Sequence, residues 1–216
     1  MVDSPRRLVS SAVGIGQREG IRGLGRHAVN YLRRNTVSEL RARRRESLTV
    51  ECSGVGVEFD TRSDVAKEWF FPRYLDGKIH EPEITREVVE SVGPNDIFYD
   101  VGALLGYYTL FASEVCSGGS VHAFELHPAY LKAIQRSLAR NGTEAVLNQR
   151  AVSNVSGESV SFSGDVGVTS IDATDDGPGA ETAETITLDD YADYHPEPDV
   201  MKVDIEGFEQ QALEGA

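Results

Sequence analysis

The sequence predicts an α/β protein: a doubly wound, mostly parallel sheet, incomplete on its C-terminal side and preceded by a helical, arginine-rich arm. Three observations carry that expectation. From residue 95 onward, short apolar runs alternate with helical segments. The first run ends in a glycine turn, and an acidic residue closes the second.

The elements follow in order. Ile97-Phe98-Tyr99 forms the first strand, between Gly93-Pro94-Asn95-Asp96 and Asp100-Val101-Gly102. A helix over about 106–116 follows, stopped by Gly118-Gly119. Val121 to Phe124 is the second strand. Pro128 opens a helix to about Arg140, with Leu131, Ile134 and Leu138 on one face and Asn141-Gly142 as its stop. Ala145 to Leu147 begins a third strand. Residues 155–184 turn to Gly, Ser, Thr and Asp, which reads as a β-hairpin (159–163) and a loop over 164–182 able to act as an acceptor lid. Thr187 caps a short helix through Asp189-Asp190-Tyr191. Asp199 to Val203 is the fourth strand, and Phe208 starts another helix. Short connections imply parallel strands, right-handed crossovers and the order third, second, first, fourth.

Upstream, residues 48–60 alternate as a strand pair turning near Ser53-Gly54. Residues 64–92 read as helical segments broken around Pro72 and Pro82. The expected divisions are a basic arm (1–46), a hairpin and helical lead-in (47–94) and a nucleoside-binding domain (95–216).

Charge is unevenly spread. Residues 1–45 hold eleven arginines against three acids, +8, while the remainder holds ten basic and 32 acidic residues, −22. Only Lys67, Lys78, Lys132 and Lys202 are lysines. An acidic, lysine-poor surface stays hydrated in molar salt, where charges are screened over roughly 3 Å. A halophilic cytoplasm is the leading explanation, with an acidic mesophilic protein as the alternative. Within the arm, Ile21, Leu24, Ala28, Tyr31 and Leu32 recur at helical spacing and Arg22, Arg26 and Arg33 fall elsewhere on the wheel. Such a helix suits an anionic membrane surface, a protein partner or the protein's own acidic body. Nucleic acid is disfavoured, since counterion release yields little affinity in concentrated salt. No apolar run approaches the roughly 18 residues of a membrane span. Cys52 and Cys116 have neither metal nor disulfide spacing and suit a reducing compartment.

The glycine turn Asp100-Val101-Gly102-Ala103-Leu104-Leu105-Gly106 allows close approach of backbone to ligand. No Gly-Lys-Ser/Thr follows, which excludes a phosphate-binding Walker loop. The glycine spacing is G-x-x-x-G rather than G-x-G-x-x-G, and Asp100 before the turn repels a pyrophosphate. That argues against an NAD(P)-dependent oxidoreductase or epimerase. A carboxylate there suits a phosphate-free ligand bearing a sulfonium and an amino group, as S-adenosylmethionine does. Glu125 ends the second strand, where an acid accepts hydrogen bonds from ribose hydroxyls.

DVGALLGYYT, FELHP, NQRAVSN, ITLDDY and MKVDIEGFEQQALEGA, in this order and spacing across about 95–216, resemble the motifs of the FkbM family of methyltransferases. The resemblance implies the Rossmann-like class I methyltransferase fold, S-adenosylmethionine as donor, and methylation of a hydroxyl on a sugar, glycolipid or similar small acceptor. It implies that Asp100, Gly102, Ala103 and Gly106 line the methionine end, Glu125 holds the ribose, and Gln149, Arg150 and Ala151 flank the adenine. Leu104 stands where the family commonly has Asn, and Leu126 where it has Pro. The family's domain normally continues past Ala216, so the sequence is read as a fragment; a partner-covered edge or a non-catalytic binding module is the alternative. Lys202, Asp204, Glu206 and Glu209 cluster after the fourth strand, where an open α/β sheet receives ligands. Asp204 or Glu206 is expected to be a general base or to orient the acceptor, and Lys202 to stabilise charge or pair with one of them. No third ligand accompanies Asp204 and Glu206, so no metal is expected.

Overall fold

In the computed structural model, residues 45–67, 74, 77–163, 170–172 and 181–216 are described. The arginine-rich arm, the break at Pro72 and most of the proposed lid lie outside them. Strands β1 (Ser47–Cys52) and β2 (Val55–Asp60) pair antiparallel in register from Ser47 opposite Asp60 to Cys52 opposite Val55. Their turn is Ser53-Gly54, both at positive φ (49° and 82°), the conformation a two-residue hairpin demands. Helix α1 (Pro82–Ser91) starts on its proline, where a missing N–H costs nothing, and buries Thr85, Val88 and Val89.

The main sheet holds four parallel strands in the order β10-β3-β4-β5, as the alternation predicts. They are β3 (Ile97–Val101), β4 (Ser120–Phe124), β5 (Val146–Asn148) and β10 (Val200–Val203). Helices α2 (Tyr107–Val115) and α3 (Pro128–Asn141) make the first two crossovers. Seven consecutive residues of α2, from Tyr107 to Ser113, are buried. It is therefore an interior helix rather than a half-wetted one. The two central strands, β3 and β4, are buried at all but their first residue, as the inner strands of a parallel sheet are, while the edge strands β5 and β10 are only partly covered. On one face Tyr99, Val101 and Phe124 pack with Val152, Leu188, Tyr191 and Ala212.

The sequence shows only a hairpin at 159–163, whereas a second sheet forms there in the order β6-β9-β7-β8. Its members are β6 (Arg150–Val152), β7 (Ser159–Ser163), β8 (Ser170–Asp172) and β9 (Glu181–Ile186). Strand β7 pairs antiparallel with both β8 and β9, and β6 runs parallel to β9. Strands β6 and β8 have three residues each, too few for a readable period, so their place in this sheet is decided by partners distant in the chain. Thr187 caps α4 (Leu188–Ala192) as expected, its hydroxyl accepting from Asp190 N at 3.0 Å. Helix α5 (Glu209–Glu214) follows β10.

Two buried polar groups lock the layers. His122 on β4 sits between Ser120 Oγ (2.9 Å) and Tyr191 Oη (2.8 Å), and burial pushes its imidazole down to about 4, so it is neutral. Asp60, 3% exposed, ends β2 against α3. It accepts from Arg62 Nε at 2.8 Å, Arg136 Nε at 2.9 Å and Arg140 Nε at 3.0 Å, while its own N–H donates to Ser137 Oγ at 2.9 Å. Burial works to raise the Asp60 pKa, but the three guanidinium groups outweigh it and hold it near about 2.

A carboxyl lowered on folding stabilises the protein above its ordinary pKa, and that stability is lost as pH falls from 3.8 through about 2. Asp60→Ala strands three arginines and is expected to lower urea-unfolding stability at pH 7 by roughly 2–4 kcal/mol. The deficit should shrink toward pH 2; a variant as stable as wild type at pH 7 contradicts this account.

Candidate cofactor and active site

The glycine turn is a knot of backbone bonds. Gly102 N and Ala103 N both donate to Phe124 O at 3.0 Å, and Gly106 N donates to Ala103 O at 2.7 Å. Gly102 has φ +80°, and a Cβ there would lie 2.0 Å from Asp204 O. Only glycine lets β3 and the segment after β10 approach this closely. Gly106, at φ +76°, caps α2, and a Cβ on it would press on Ile134 at 2.9 Å.

Asp100 does not face the cavity. It is fully buried beneath the turn, its Oδ2 accepting from Thr109 N (2.9 Å) and Thr109 Oγ1 (2.6 Å) in the first turn of α2. Its Oδ1 has no hydrogen bond but lies 3.3 Å from Lys202 Nζ. Lys202 in turn donates to Gly102 O at 2.8 Å and stands 3.9 Å from Asp204 Oδ2. Lys202, expected to pair with Asp204 or Glu206, lies nearer to Asp100 than to Asp204. Lys202 and Asp100 both shape the turn from below.

A cavity of about 370 Å³ opens above the turn, within the size of small-ligand pockets. Of the residues expected at the site, Gly102, Glu125, Arg150, Ala151, Asp204 and Glu206 line it. Asp100, Ala103, Gly106, Gln149 and Lys202 are not in its wall: the first three belong to the turn, Gln149 joins β5 to β6, and Lys202 borders a neighbouring groove between α1 and β10. The wall also contains His80, Glu81, Leu104 and Phe208. His80 and Glu81 lie on a separate segment well before the turn, and no periodic signal marks them. Leu104 was visible as the residue between the glycines.

Glu125, 8% exposed, is the carboxylate inside this cavity. Its Oε2 accepts from Leu104 N at 2.7 Å and its Oε1 from His127 N at 2.8 Å, so each oxygen keeps a lone pair for a ligand hydroxyl. Burial pushes its pKa up; the two backbone bonds and Lys202 pull it down, the Asp100 charge adds to the rise, and the result is about 7. Arg150 is paired with Glu184. The wall thus offers carboxylates to hydroxyls and positive charge, and gives a pyrophosphate no cluster of cations. This donor set fits S-adenosylmethionine. Among the described residues no His, Cys, Asp or Glu trio is placed to hold a metal ion.

The model of the methyltransferase FkbM domain matches residues 100–216, more than half of the chain. The chain belongs to the FkbM methyltransferase family. It is 27% identical over 173 residues to hexuronic acid methyltransferase AglP of Haloferax volcanii, covering 79% of this chain and 69% of that protein. It is 38% identical over 64 residues to 31-O-demethyl-FK506 methyltransferase FkbM of Streptomyces tacrolimicus, covering 30% of this chain and 25% of that protein. Among solved structures, a precorrin-6y C5,15-methyltransferase from Geobacter metallireducens aligns with 63% of this chain and 56% of its own at a TM-score of 0.40 and 15% identity. The fold of this FkbM-family chain is read from its own sheet order, with the helices flanking it.

A carboxyl raised on folding binds its proton more tightly in the native state, so stability falls as pH climbs from 4.5 through about 7. Glu125→Gln removes that loss. Relative to wild type, its unfolding free energy is expected to improve by about 3 kcal/mol between pH 4 and 8; a pH-independent difference in denaturant titrations counts against a buried, raised Glu125.

Proposed function

We propose that this methyltransferase is S-adenosylmethionine-dependent and methylates a hydroxyl oxygen on a sugar, glycolipid or similar small acceptor. The observation that carries the reading is Glu125: a dry carboxylate ending the second strand, bonded to the glycine turn through Leu104 N, in a cavity whose other charged walls are mostly acidic.

S-adenosylmethionine, when bound, supplies a methyl group on a positively charged sulfur. The protein's part is to hold and shield. Glu125 accepts the ribose hydroxyls. Phe124, Val152 and Phe208 with Ala151 provide an apolar slot for a flat base, flanked by Arg150 and, outside the wall, Gln149. Asp100 and Lys202 keep Gly102, Ala103 and Gly106 in the one conformation that leaves room for the methionine end. Asp204, whose side chain is 64% exposed, and Glu206 stand at the open rim and orient the acceptor's hydroxyls. Placement of this kind lowers the barrier mainly by fixing the reacting oxygen, the largest need of a displacement reaction. AglP acts on a hexuronic acid by its name. That kinship and the cavity's hydrogen-bonding rim favour a carbohydrate acceptor here. The acid excess outside the arm favours work in a salt-rich cytoplasm, and the arginine-rich arm a contact with an anionic surface or partner.

Calorimetric titration with S-adenosylmethionine in molar KCl should give one site per chain. Gly102→Ala should abolish it, because its Cβ collides with Asp204 O. Asp204→Ala and Glu206→Ala should keep donor affinity but raise the KM for a p-nitrophenyl glycoside about tenfold, as expected for a lost hydrogen bond of roughly 1–1.5 kcal/mol. No heat of binding for the donor, or two fully active rim variants, would overturn the corresponding part of the reading.

A further inference from the structure

Two hollows meet at the C-terminal end of β10: the cavity above the glycine turn and the groove between α1 and β10. Their walls have two residues in common, Glu81 and Asp204. A carboxylate at that junction borders both the donor's cavity and the space beside it. The two are held very differently. The Asp204 side chain is 64% exposed and stands 3.9 Å from Lys202 Nζ, which is committed to Asp100 and Gly102 O. Glu81 is fixed from several sides.

Its backbone is strained and pinned. Glu81 caps α1 at φ 39°, a left-handed conformation that costs a residue with a Cβ about 1–3 kcal/mol. Thr85 N donates to Glu81 O at 2.9 Å, Thr85 Oγ1 donates to His80 O, and His80 N donates to the Tyr107 hydroxyl at 3.1 Å. The side chain is held as well. The Tyr108 hydroxyl donates to Glu81 Oε2 at 2.7 Å. Burial raises the Tyr108 pKa and the bond to Glu81 raises it further, so the phenol keeps the proton it donates. His80 Nε2 lies 3.6 Å from the same oxygen. Both contacts fall on Oε2, and among the described residues none hydrogen-bonds Oε1. An ionised carboxylate oxygen accepts at two lone pairs, so Oε1 has room for a hydroxyl proton.

We propose that Glu81 is the general base for the acceptor hydroxyl, with Tyr108 as the residue that positions it. The inference rests on the hydroxyl-methylating reading above. As the acceptor oxygen bonds to the methyl carbon, the carbon–sulfur bond breaks and its electron pair stays on sulfur. The hydroxyl proton passes to Glu81 Oε1. The positive charge on sulfur and the negative charge on the carboxylate disappear together, so the step leaves no separated charges in the cavity. Glu81 has a side chain 49% exposed, and its proton then leaves to water. Asp204 and Glu206, at the wet rim, serve the acceptor's other hydroxyls.

The test uses the full chain, labelled S-adenosylmethionine and p-nitrophenyl β-glucoside as acceptor probe. Glu81→Gln keeps an oxygen for Tyr108 and should lose about 10²–10⁴-fold in kcat, the usual worth of a positioned base, with probe KM and donor affinity by calorimetry unchanged. Formate added to Glu81→Ala should restore part of the lost rate and leave wild type as it was. Tyr108→Phe should lose less, and should cost nothing more once residue 81 is already Gln. With S-adenosylhomocysteine bound, so that no transfer occurs, the probe should shift the Glu81 carboxyl signal in carbon NMR. Wild-type kcat in Glu81→Gln overturns the base assignment, as does a loss confined to KM or to donor affinity. An unshifted carboxyl signal at saturating probe overturns the contact with the acceptor, and fully additive losses overturn the role of Tyr108. Donor binding by wild type without any transfer to the probe overturns the carbohydrate reading, and this inference falls with it.

Discussion

The site is organised around one ammonium. Lys202, on β10, reaches across to the neighbouring strand, where its Nζ holds Gly102 O and stands against Asp100. Asp100 is fully buried and holds α2 through Thr109, so the charge under the turn also fixes the helix after it. A buried carboxylate left without this cation would carry a desolvation cost of several kcal/mol. Strand, turn and helix consequently share one electrostatic anchor. The backbone contact above it is equally exacting, because Gly102 leaves Asp204 O no space for even one methyl group.

The carboxylates of this site differ in task because they differ in water. Glu125 is dry and holds its proton up to about pH 7, a balance set chiefly by burial against two backbone N–H groups. Asp204 is wet and free to meet a polar acceptor. Glu81 lies between those extremes, half-exposed but tied to the Tyr108 hydroxyl. A wall so rich in acids selects for ligands that bring hydroxyls or positive charge, and it discourages the phosphates that most nucleotide-binding α/β sheets accept.

Local strain follows the same map. The hairpin turn at Ser53-Gly54 needs left-handed backbone for geometric reasons alone. Leu104 and Glu206 also sit in turns and Glu81 caps α1, and all three line the cavity. Leu104 uses its unusual backbone to aim its N–H at Glu125. Sequence rules are expected to fail where side-chain placement overrides local preference, and here three of the four described non-glycine residues with positive φ line one cavity.

The sequence by itself determined the alternation of β3, α2, β4, α3 and β5, the sheet order, the glycine turn and the acid at the end of β4, because these depend on short-range patterning and on residues with narrow conformational uses. Gly102, Glu125 and Thr187 are legible for that reason. Only the tertiary structure decided that Asp100 belongs beneath the turn with Lys202, that Arg150 to Val152 form an edge of a second sheet, and that His80 and Glu81 join the cavity wall. Each of those outcomes depends on groups brought together from far along the chain, and whether a charge is buried, paired or wet is a property of the packed neighbourhood that no local pattern encodes.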